Sequence, residues 1–351
     1  MASHVLFVVH GIGQHGTDWA EDAGGPIATL TEASRQYAYF GTTGLAARVE
    51  MVPVHYDEMF SQVIAAWQQN ASAIDEFDTA GHVKTALGWL ADASEDKFWW
   101  SHIADAVMYK FSPPYRQLVR SHVIAQLAVR IEQEVKDTGR ATCSVLAHSL
   151  GTAVAHDCLH YLGSTRWGKR TSPLHPRHWR FQHVFMVANT SRLLESRDAG
   201  MAQAYTSIVR PGPVEDPASY CGTYWNFRHE FDPIAIPRRF DPAGWRNYTL
   251  EVVSHYHQTN IHGLSHYLEH PKVHVPILRK VVRSSAVTDA EFHHAVNPDQ
   301  FPQFTVADVD QAKAHLLELA AQKLAVGENP TSEEFVRMLV TVYHLLEEFA
   351  S

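Results

Sequence analysis

The sequence lacks several features that would place it in a specialised class. No apolar run approaches the roughly 18 residues of a membrane-spanning helix, and there is no repeat or low-complexity tract. Only three cysteines occur, Cys143, Cys158 and Cys221, an odd number set far apart, which does not indicate a disulfide framework. Positive charge is also scarce: 29 Lys and Arg residues against 38 Asp and Glu residues give a net charge of −9. Without a basic cluster, this balance argues against a nucleic-acid partner.

What is present is the composition of a globular protein. The 351 residues are 45% hydrophobic and 19% charged, enough for one large α/β domain or two ordinary ones. The first residues lead directly into a strand pattern, so we expect no targeting segment. Two of the cysteines fall in predicted core positions, as reduced thiols in a cytoplasmic protein would. The sequence therefore predicts a cytoplasmic location.

One stretch, residues 142–153, combines a buried strand, a serine and a helix. A β-rich apolar run ends at Ser149, and residues 150–162 then carry apolar side chains at helical spacing. Small residues, Ala147 and Gly151, flank the serine two positions away on each side. Such a tight turn holds the serine in a strained conformation that exposes its hydroxyl to a base. This pattern predicts a nucleophile, and the alternative is a buried serine that caps a core helix.

A second glycine-rich loop follows the first predicted strand, residues 5–9. This loop, His10-Gly-Ile-Gly-Gln-His-Gly16, lets the backbone pass close to a ligand and direct an N–H group inwards. We predict that the N–H groups of Ile12 and Leu150 form an oxyanion hole. The alternative, an ordinary glycine-rich turn, fits the loop equally well when the loop is taken alone.

Together these motifs carry a resemblance to a known family. Strand-His-Gly-x-Gly followed by strand-x-His-Ser-x-Gly resembles the α/β-hydrolase fold, and HGIG with AHSLG resembles intracellular serine esterases and lipases. Residues 105–109 and 112–116 are similar to a stretch of the DDHD-type phospholipase A1 family. The chain departs from the wider pattern at Ala147, where glycine is usual, and it starts at the strand that is third in the full fold. The resemblance therefore implies a mostly parallel sheet of about six strands flanked by helices.

The resemblance also implies a division of the chain. Residues 1–285 form the expected α/β-hydrolase domain, in which residues 57–139 show helical runs but no convincing strand. Large apolar side chains between Trp89 and Phe111 indicate that this insertion covers the site as a cap or lid. The alternative is that these aromatic residues pack the insertion onto the core.

Residues 286–351 form a predicted C-terminal helical extension. Thr331 and Glu334 have the spacing of a capping box at a helix start. An apolar stripe follows, made of Phe335, Leu339, Val342, Leu346 and Phe349. We expect it to pack on the body of the domain, and a dimer contact is the alternative.

The remaining partners of Ser149 are predicted from their place after strands. Asp232 follows the predicted strand 224–231 and is preferred over Asp241, which follows no strand. A histidine-rich segment, residues 255–270, follows the last predicted strand. In it His266 opens a helical turn and is our choice of base, while His262 is the alternative. The order Ser149, Asp232, His266 is the chain order of α/β-hydrolases.

The histidines of this segment also suggest a metal site, because His262 and His266 are four residues apart. No H-E-x-x-H motif and no paired cysteines accompany them, so we expect no metal. The sequence therefore predicts a serine hydrolase of carboxylic esters, with hydrophobic or lipid esters favoured by the resemblance and by the apolar insertion. Such a reaction needs no cofactor, and transient contact with a membrane surface is compatible with it. A thioesterase or amidase, or a non-catalytic binding protein with this fold, remains the alternative.

Overall fold

A six-stranded parallel sheet forms the centre of the protein. The computed structural model describes residues 4–11, 16, 18–41, 43–69, 81, 83–85, 97–164, 166–167, 170–171, 173–195, 203–213, 216, 218–232, 238–255, 262–297, 331, 334 and 336–338. The strands are β1 (His4–Val9), β2 (Val49–Val54), β3 (Cys143–His148), β4 (Arg166–Trp167), β5 (Arg170–Thr171), β6 (Phe181–Val187), β7 (Cys221–His229) and β8 (Tyr248–Val253). The main sheet has the order β2-β1-β3-β6-β7-β8, and β4 and β5 form a separate antiparallel pair. The predicted α/β class, with about six parallel strands, is confirmed.

Helices cover both faces of this sheet. In the described residues they are α1 (Pro26–Arg35), α2 (Asp57–Gln69), α3 (Lys97–Phe111), α4 (Pro113–Thr138), α5 (Leu150–Ser164), α6 (Leu264–Glu269), α7 (Pro271–Val281) and α8 (Asp289–Ala295), with a 3₁₀ turn at Ser284–Ala286. Two apolar cores result, because successive side chains of a strand point to opposite faces. Phe7 of β1 belongs to the core beneath α3, α4 and α5, whereas Leu6 and Val8 belong to the core beneath α1, α6 and α7.

Two inner strands of the sheet, β1 and β3, are buried along their whole length. Every residue of β1 and of β3 is buried, as expected for parallel strands with helices on both faces. The edge strand β2 is only partly buried and contains Pro53, whose missing N–H is tolerated at a sheet edge. The strands β1 and β3 are thus more deeply buried than the edge strand β2.

The sheet order creates a crevice at the carboxyl ends of β1 and β3. The two neighbours of β1 in the sheet are β2 and β3, so the chain first extends the sheet on one side of β1 and then on the other. Val9 lies opposite Ala147, and the residues that follow each strand therefore come side by side. Parallel sheets bind ligands in the crevice at such a reversal. Gly11 and Ser149 both lie there.

The described part of the insertion is helical, in agreement with the sequence. Three of its apolar residues are buried in the core beneath α4 and α5: Val107, Met108 and Tyr109. These three side chains therefore pack the insertion onto the core, as the alternative interpretation predicted. Trp89 lies outside the described residues, as do the side chains of Trp99 and Trp100. The cap over the site stays a prediction.

Part of the C-terminal extension can also be compared with the structure. The Thr331 hydroxyl accepts the Glu334 N–H, and the Glu334 carboxylate accepts the Thr331 N–H, so the predicted capping box is present. Val336 and Met338 are buried in the same core as Phe7. The predicted apolar stripe that begins at Phe335 lies outside the described residues. Across the described part of the chain, no helix has both the length and the apolar character needed to cross a membrane.

Candidate active site

Ser149 occupies a strained turn between β3 and α5. Its φ is +53°, in the left-handed region that non-glycine residues rarely adopt. Its N–H donates to the carbonyl of Val187 at 3.0 Å, which extends the pairing of β3 with β6 up to the serine. Gly151 must lack a side chain, because a Cβ atom there would lie 1.9 Å from the carbonyl oxygen of His10. The small residue two positions after the serine therefore lets the two strand ends approach each other.

The backbone of this turn is held from the neighbouring loop. The carbonyl oxygen of Ser149 accepts the Thr152 hydroxyl at 2.6 Å and the Thr190 hydroxyl at 2.7 Å. The N–H of Thr190 in turn donates to the Thr152 hydroxyl oxygen at 2.8 Å. Because Thr190 follows β6, the turn is fixed by two adjacent strands. This fixes the direction of the peptide that joins Ser149 to Leu150, the first residue of α5.

An imidazole lies between Ser149 and Asp232, and it belongs to His262. His262 Nε2 is 2.8 Å from Ser149 Oγ, and His262 Nδ1 is 2.8 Å from Asp232 Oδ2. A carboxylate only accepts hydrogen bonds, so Nδ1 carries the proton and Nε2 is left to accept the serine hydroxyl. This is the tautomer that a general base for serine requires. The side chain of His262 is 14% exposed, and that of Asp232 is fully buried.

Asp232 is held as a carboxylate by hydrogen bonds that include those from His262 and Tyr267. Besides His262, the Tyr267 hydroxyl donates to the same Oδ2 atom at 2.8 Å. Burial alone would raise the pKa of Asp232, but the nearby charge of His262 and the hydrogen bonds from His262 and Tyr267 hold it below its ordinary value. The carboxylate can therefore stay ionised inside the protein and orient the imidazole.

The choice of His266 as the base needs correction. His266 is completely buried on α6, where its ring stacks on that of His255 with centroids 4.1 Å apart. Its carbonyl oxygen accepts the His255 Nε2–H group at 3.0 Å. His266, the third residue of α6, therefore points into the interior. His262 lies in the turn before the helix and faces the crevice. The imidazole in contact with Ser149 and Asp232 is the alternative that the sequence analysis had left open.

The loop after β1 is held on the other side of Ser149. The Tyr56 hydroxyl lies 2.8 Å from the carbonyl oxygen of His10 and 3.1 Å from that of Gly11. His10 Nδ1 donates to the carbonyl of Gly11 at 2.6 Å, and its ring stacks on Tyr56. Leu150 is buried beside this loop, directly after the serine. The other predicted oxyanion-hole donor, Ile12, lies outside the described residues.

The same loop has glycines at the spacing G-x-G-x-x-G, namely Gly11, Gly13 and Gly16. In dinucleotide-binding proteins this motif runs directly into a helix whose N-terminus faces the pyrophosphate. Here α1 begins only at Pro26, after a further run of turns. The surroundings therefore do not fit a dinucleotide loop, despite the spacing.

Three buried histidines, His229, His255 and His266, place ring nitrogens within 4.8 Å of one another. A metal ion would need a free lone pair from each of them. His229 Nε2 donates to the carbonyl of His255 at 2.7 Å, and its Nδ1 accepts the Phe231 N–H at 3.2 Å. Both nitrogens of His229 are thus in use. These residues fit a hydrogen-bonded support for the segment that carries His262 better than a metal site.

Sequence reasoning missed several side chains that support the site. Tyr267 follows His266 directly in the sequence and was not predicted to take part, although its hydroxyl contacts Asp232. Thr190 lies three residues beyond the end of β6, and no motif in the sequence marks it. His148 precedes the serine in the motif, and its ring contacts that of His262.

Comparison with other proteins adds no family assignment. No protein-family model and no curated protein sequence matches the chain. Among solved structures, an uncharacterized protein from Pseudomonas aeruginosa is similar over 95% of this chain, with 10% identity and a TM-score of 0.35. The chain spans 52% of that protein's length. A likeness at this level carries no argument about fold or function.

Proposed function

We propose that the protein is a serine hydrolase that cleaves carboxylic esters with Ser149 as nucleophile, His262 as base and Asp232 as the orienting carboxylate. One observation carries the proposal: an unbroken chain of hydrogen bonds from Ser149 Oγ through both nitrogens of His262 to Asp232, with 2.8 Å at each step. Nucleophile, base and orienting group in this arrangement are the recurring constellation of acyl transfer.

The reaction proceeds in two halves. In the first, Ser149 Oγ forms a bond to the ester carbonyl carbon while its proton passes to His262 Nε2. The tetrahedral intermediate then expels the alcohol, which takes that proton from His262 and leaves an acyl group on Ser149. In the second half, water gives a proton to His262 and attacks the acyl carbon, and Ser149 Oγ leaves with the proton as the acid departs.

Asp232 and the backbone stabilise the charges that develop. The carboxylate faces the imidazolium that forms in each half, and it keeps the imidazole in the required tautomer. The N–H of Leu150 follows the strained serine and is our proposed oxyanion donor, together with that of Ile12. Removal of one such donor typically costs about 10²–10³ in turnover.

The substrate is proposed to be a hydrophobic or lipid ester. This part depends on the apolar composition of the insertion and on the resemblance to serine esterases and lipases. We also propose a cytoplasmic location, which the three buried free cysteines favour.

Hydrolysis of a series of p-nitrophenyl esters tests the proposal. Wild-type protein should release p-nitrophenol faster as the acyl chain lengthens from acetate to decanoate, whereas Ser149→Ala should release none above background. Acyl-CoA, tested in parallel, should react more slowly. Preference for acetate would contradict the hydrophobic substrate class, and faster cleavage of acyl-CoA would make the protein a thioesterase. Equal rates for wild type and Ser149→Ala would contradict hydrolysis at this site.

A further inference from the structure

His148 lies at the carboxyl end of β3, directly before Ser149, and its side chain is turned towards the base. Its Nε2 is 2.7 Å from the main-chain carbonyl oxygen of His262. A carbonyl oxygen only accepts, so His148 Nε2 carries a proton and donates it to this bond. The two imidazole rings are 4.9 Å apart. The residue before the nucleophile therefore holds the backbone of the residue that would deprotonate it.

His148 also contacts the other parts of the site. Its Nδ1 side faces Gly11, where a Cβ atom would lie 3.3 Å from His148 Nδ1 and 2.9 Å from Ser149 Cβ. Its ring packs edge-on against the ring of Tyr267, and the two centroids are 6.5 Å apart. The hydroxyl of Tyr267 donates to Asp232. One buried side chain thus touches the loop after β1, the base and the support of the carboxylate.

The position of His262 depends on side chains that bond to its backbone, such as His148. His262 lies in a turn after β8 and before α6, outside any helix or strand that would fix its backbone. Its ring is fixed by the bonds to Ser149 and Asp232, which also take part in the proposed chemistry. The bond from His148 holds the main chain of His262 and takes no part in the proposed proton transfers.

We propose that His148 is a positioning residue that sets the distance between Ser149 Oγ and His262 Nε2 by holding the carbonyl of His262. This inference rests on the proposed function. His148 and Ser149 are adjacent in the chain. A movement at the end of β3 therefore shifts Ser149 and the donor to the His262 carbonyl together. A displacement of about 1 Å between reacting groups can cost about 10² in rate.

Two amide variants separate positioning from general stability. The terminal amide of glutamine reaches about as far as Nε2 of histidine, whereas that of asparagine reaches only about as far as Nδ1. His148→Gln keeps a donor for the carbonyl of His262, and His148→Asn loses it. We expect kcat on a p-nitrophenyl ester to fall by about 10² in His148→Asn, with KM changed little. His148→Gln should recover at least about tenfold of that loss.

The rate of inactivation by a fluorophosphonate gives the second readout, because it reports the reactivity of Ser149 without ester binding or deacylation. It should follow kcat across the two variants. His4→Asn is the matched control: His4 begins β1, at the amino end of the sheet, and its Nε2 lies 2.8 Å from the Ser144 hydroxyl oxygen, so asparagine loses this bond as well. This control should lower the melting temperature without lowering kcat.

The outcomes separate the inference from the proposed function. If wild-type protein neither turns over esters nor reacts with the fluorophosphonate, the proposed function fails and the inference fails with it. If wild-type protein reacts and both amide variants react at similar rates, His148 does not position the base, and the proposed function stands. A loss in both His148 variants and in the control to the same extent would assign His148 a general structural role.

Discussion

At the scale of single residues, the carboxylate of Asp232 depends on hydrogen bonds from His262 and Tyr267. The Tyr267 hydroxyl donates to Oδ2 at 2.8 Å and also accepts the His229 N–H at 2.8 Å. All of these groups except the His262 ring are completely buried. A buried charge that loses one of its donors becomes less stable, and a buried N–H that loses its acceptor adds to the cost.

We therefore predict that Tyr267→Phe lowers both stability and rate. The free energy of unfolding should fall by about 1–3 kcal/mol because the His229 N–H and Asp232 each lose a partner. The kcat for ester hydrolysis should fall about tenfold, the rate equivalent of the ~1.5 kcal/mol contributed by a hydrogen bond to a charged group. Urea denaturation and ester kinetics measure the two effects.

Tyr220→Phe provides the matched control. Tyr220 is also buried, and its hydroxyl donates to the carbonyl of Leu174 at 2.7 Å, towards the amino end of the sheet. It should lose stability to a similar extent with kcat unchanged. An unchanged kcat in Tyr267→Phe as well would mean that the bond to Asp232 does not support the reaction.

The two histidines considered as the base should respond differently to substitution. His262→Gln removes the group that contacts Ser149, and we expect kcat to fall by at least about 10³. His266→Gln disturbs the buried stack with His255 and should lower the melting temperature. Its kcat, measured below the melting transition, should stay within about tenfold of wild type. The reverse pattern would restore His266 as the base.

At the scale of elements, the join of β3 to α5 tolerates only glycine at position 151. A methyl group there would lie 1.9 Å from the carbonyl oxygen of His10, and both are backbone-anchored. We predict that Gly151→Ala destabilises the protein by about 3 kcal/mol or more, because the strand ends must separate to admit it. Gly16→Ala is the matched control, since among the residues that the structure describes, its chain neighbours aside, no atom lies within 4 Å of a Cβ at that position. Equal denaturant midpoints for the two variants would contradict the close approach of the loops.

The same join shows how far the sequence could predict the structure. Strand, serine and helix were predictable because an apolar run, two flanking small residues and helical spacing are local signals. Asp232 was predicted from its place beyond a strand; it lies three residues after β7 and contacts the imidazole of His262, because the carboxyl ends of parallel strands share one edge.

The choice between His262 and His266 had no such local signal. They are four positions apart, and each is held by another histidine: His148, at the end of β3, bonds to the carbonyl of His262, and His255, just after β8, bonds to that of His266. Tyr267, the residue directly after His266, contacts the carboxylate of Asp232. Tertiary hydrogen bonds of this kind leave no periodic pattern in the sequence.

At the scale of the whole molecule, buried histidines make stability depend on pH. His274 on α7 is completely buried, donates from Nδ1 to the carbonyl of Leu268 at 2.8 Å and lies 2.6 Å from the Tyr37 hydroxyl. Burial lowers the pKa of His274 from 6.5 to about 4, against the raising effect of its backbone hydrogen bonds. Burial similarly lowers the pKa of His4 to about 4 and that of His156 to about 3.

These shifts predict a loss of stability in acid. Each histidine is neutral in both states above pH 6.5, so their contribution is fully present there. Between pH 6.5 and about 4 the unfolded chain takes up protons that the folded protein does not, and the free energy of unfolding falls with pH. His274 alone should account for roughly 3 kcal/mol of this loss. His274→Asn keeps a donor for Leu268 and should show a shallower decline in urea denaturation series; an unchanged decline would contradict the assignment.

The account as a whole depends on Ser149 being a reactive nucleophile. The most direct test is to treat the wild-type protein with a fluorophosphonate and to locate the adduct by mass spectrometry of its peptides. The account predicts one adduct per chain, on the peptide that contains Ser149, and none in His262→Gln at the same exposure. An unmodified Ser149, or an adduct carried equally by His262→Gln, would contradict it.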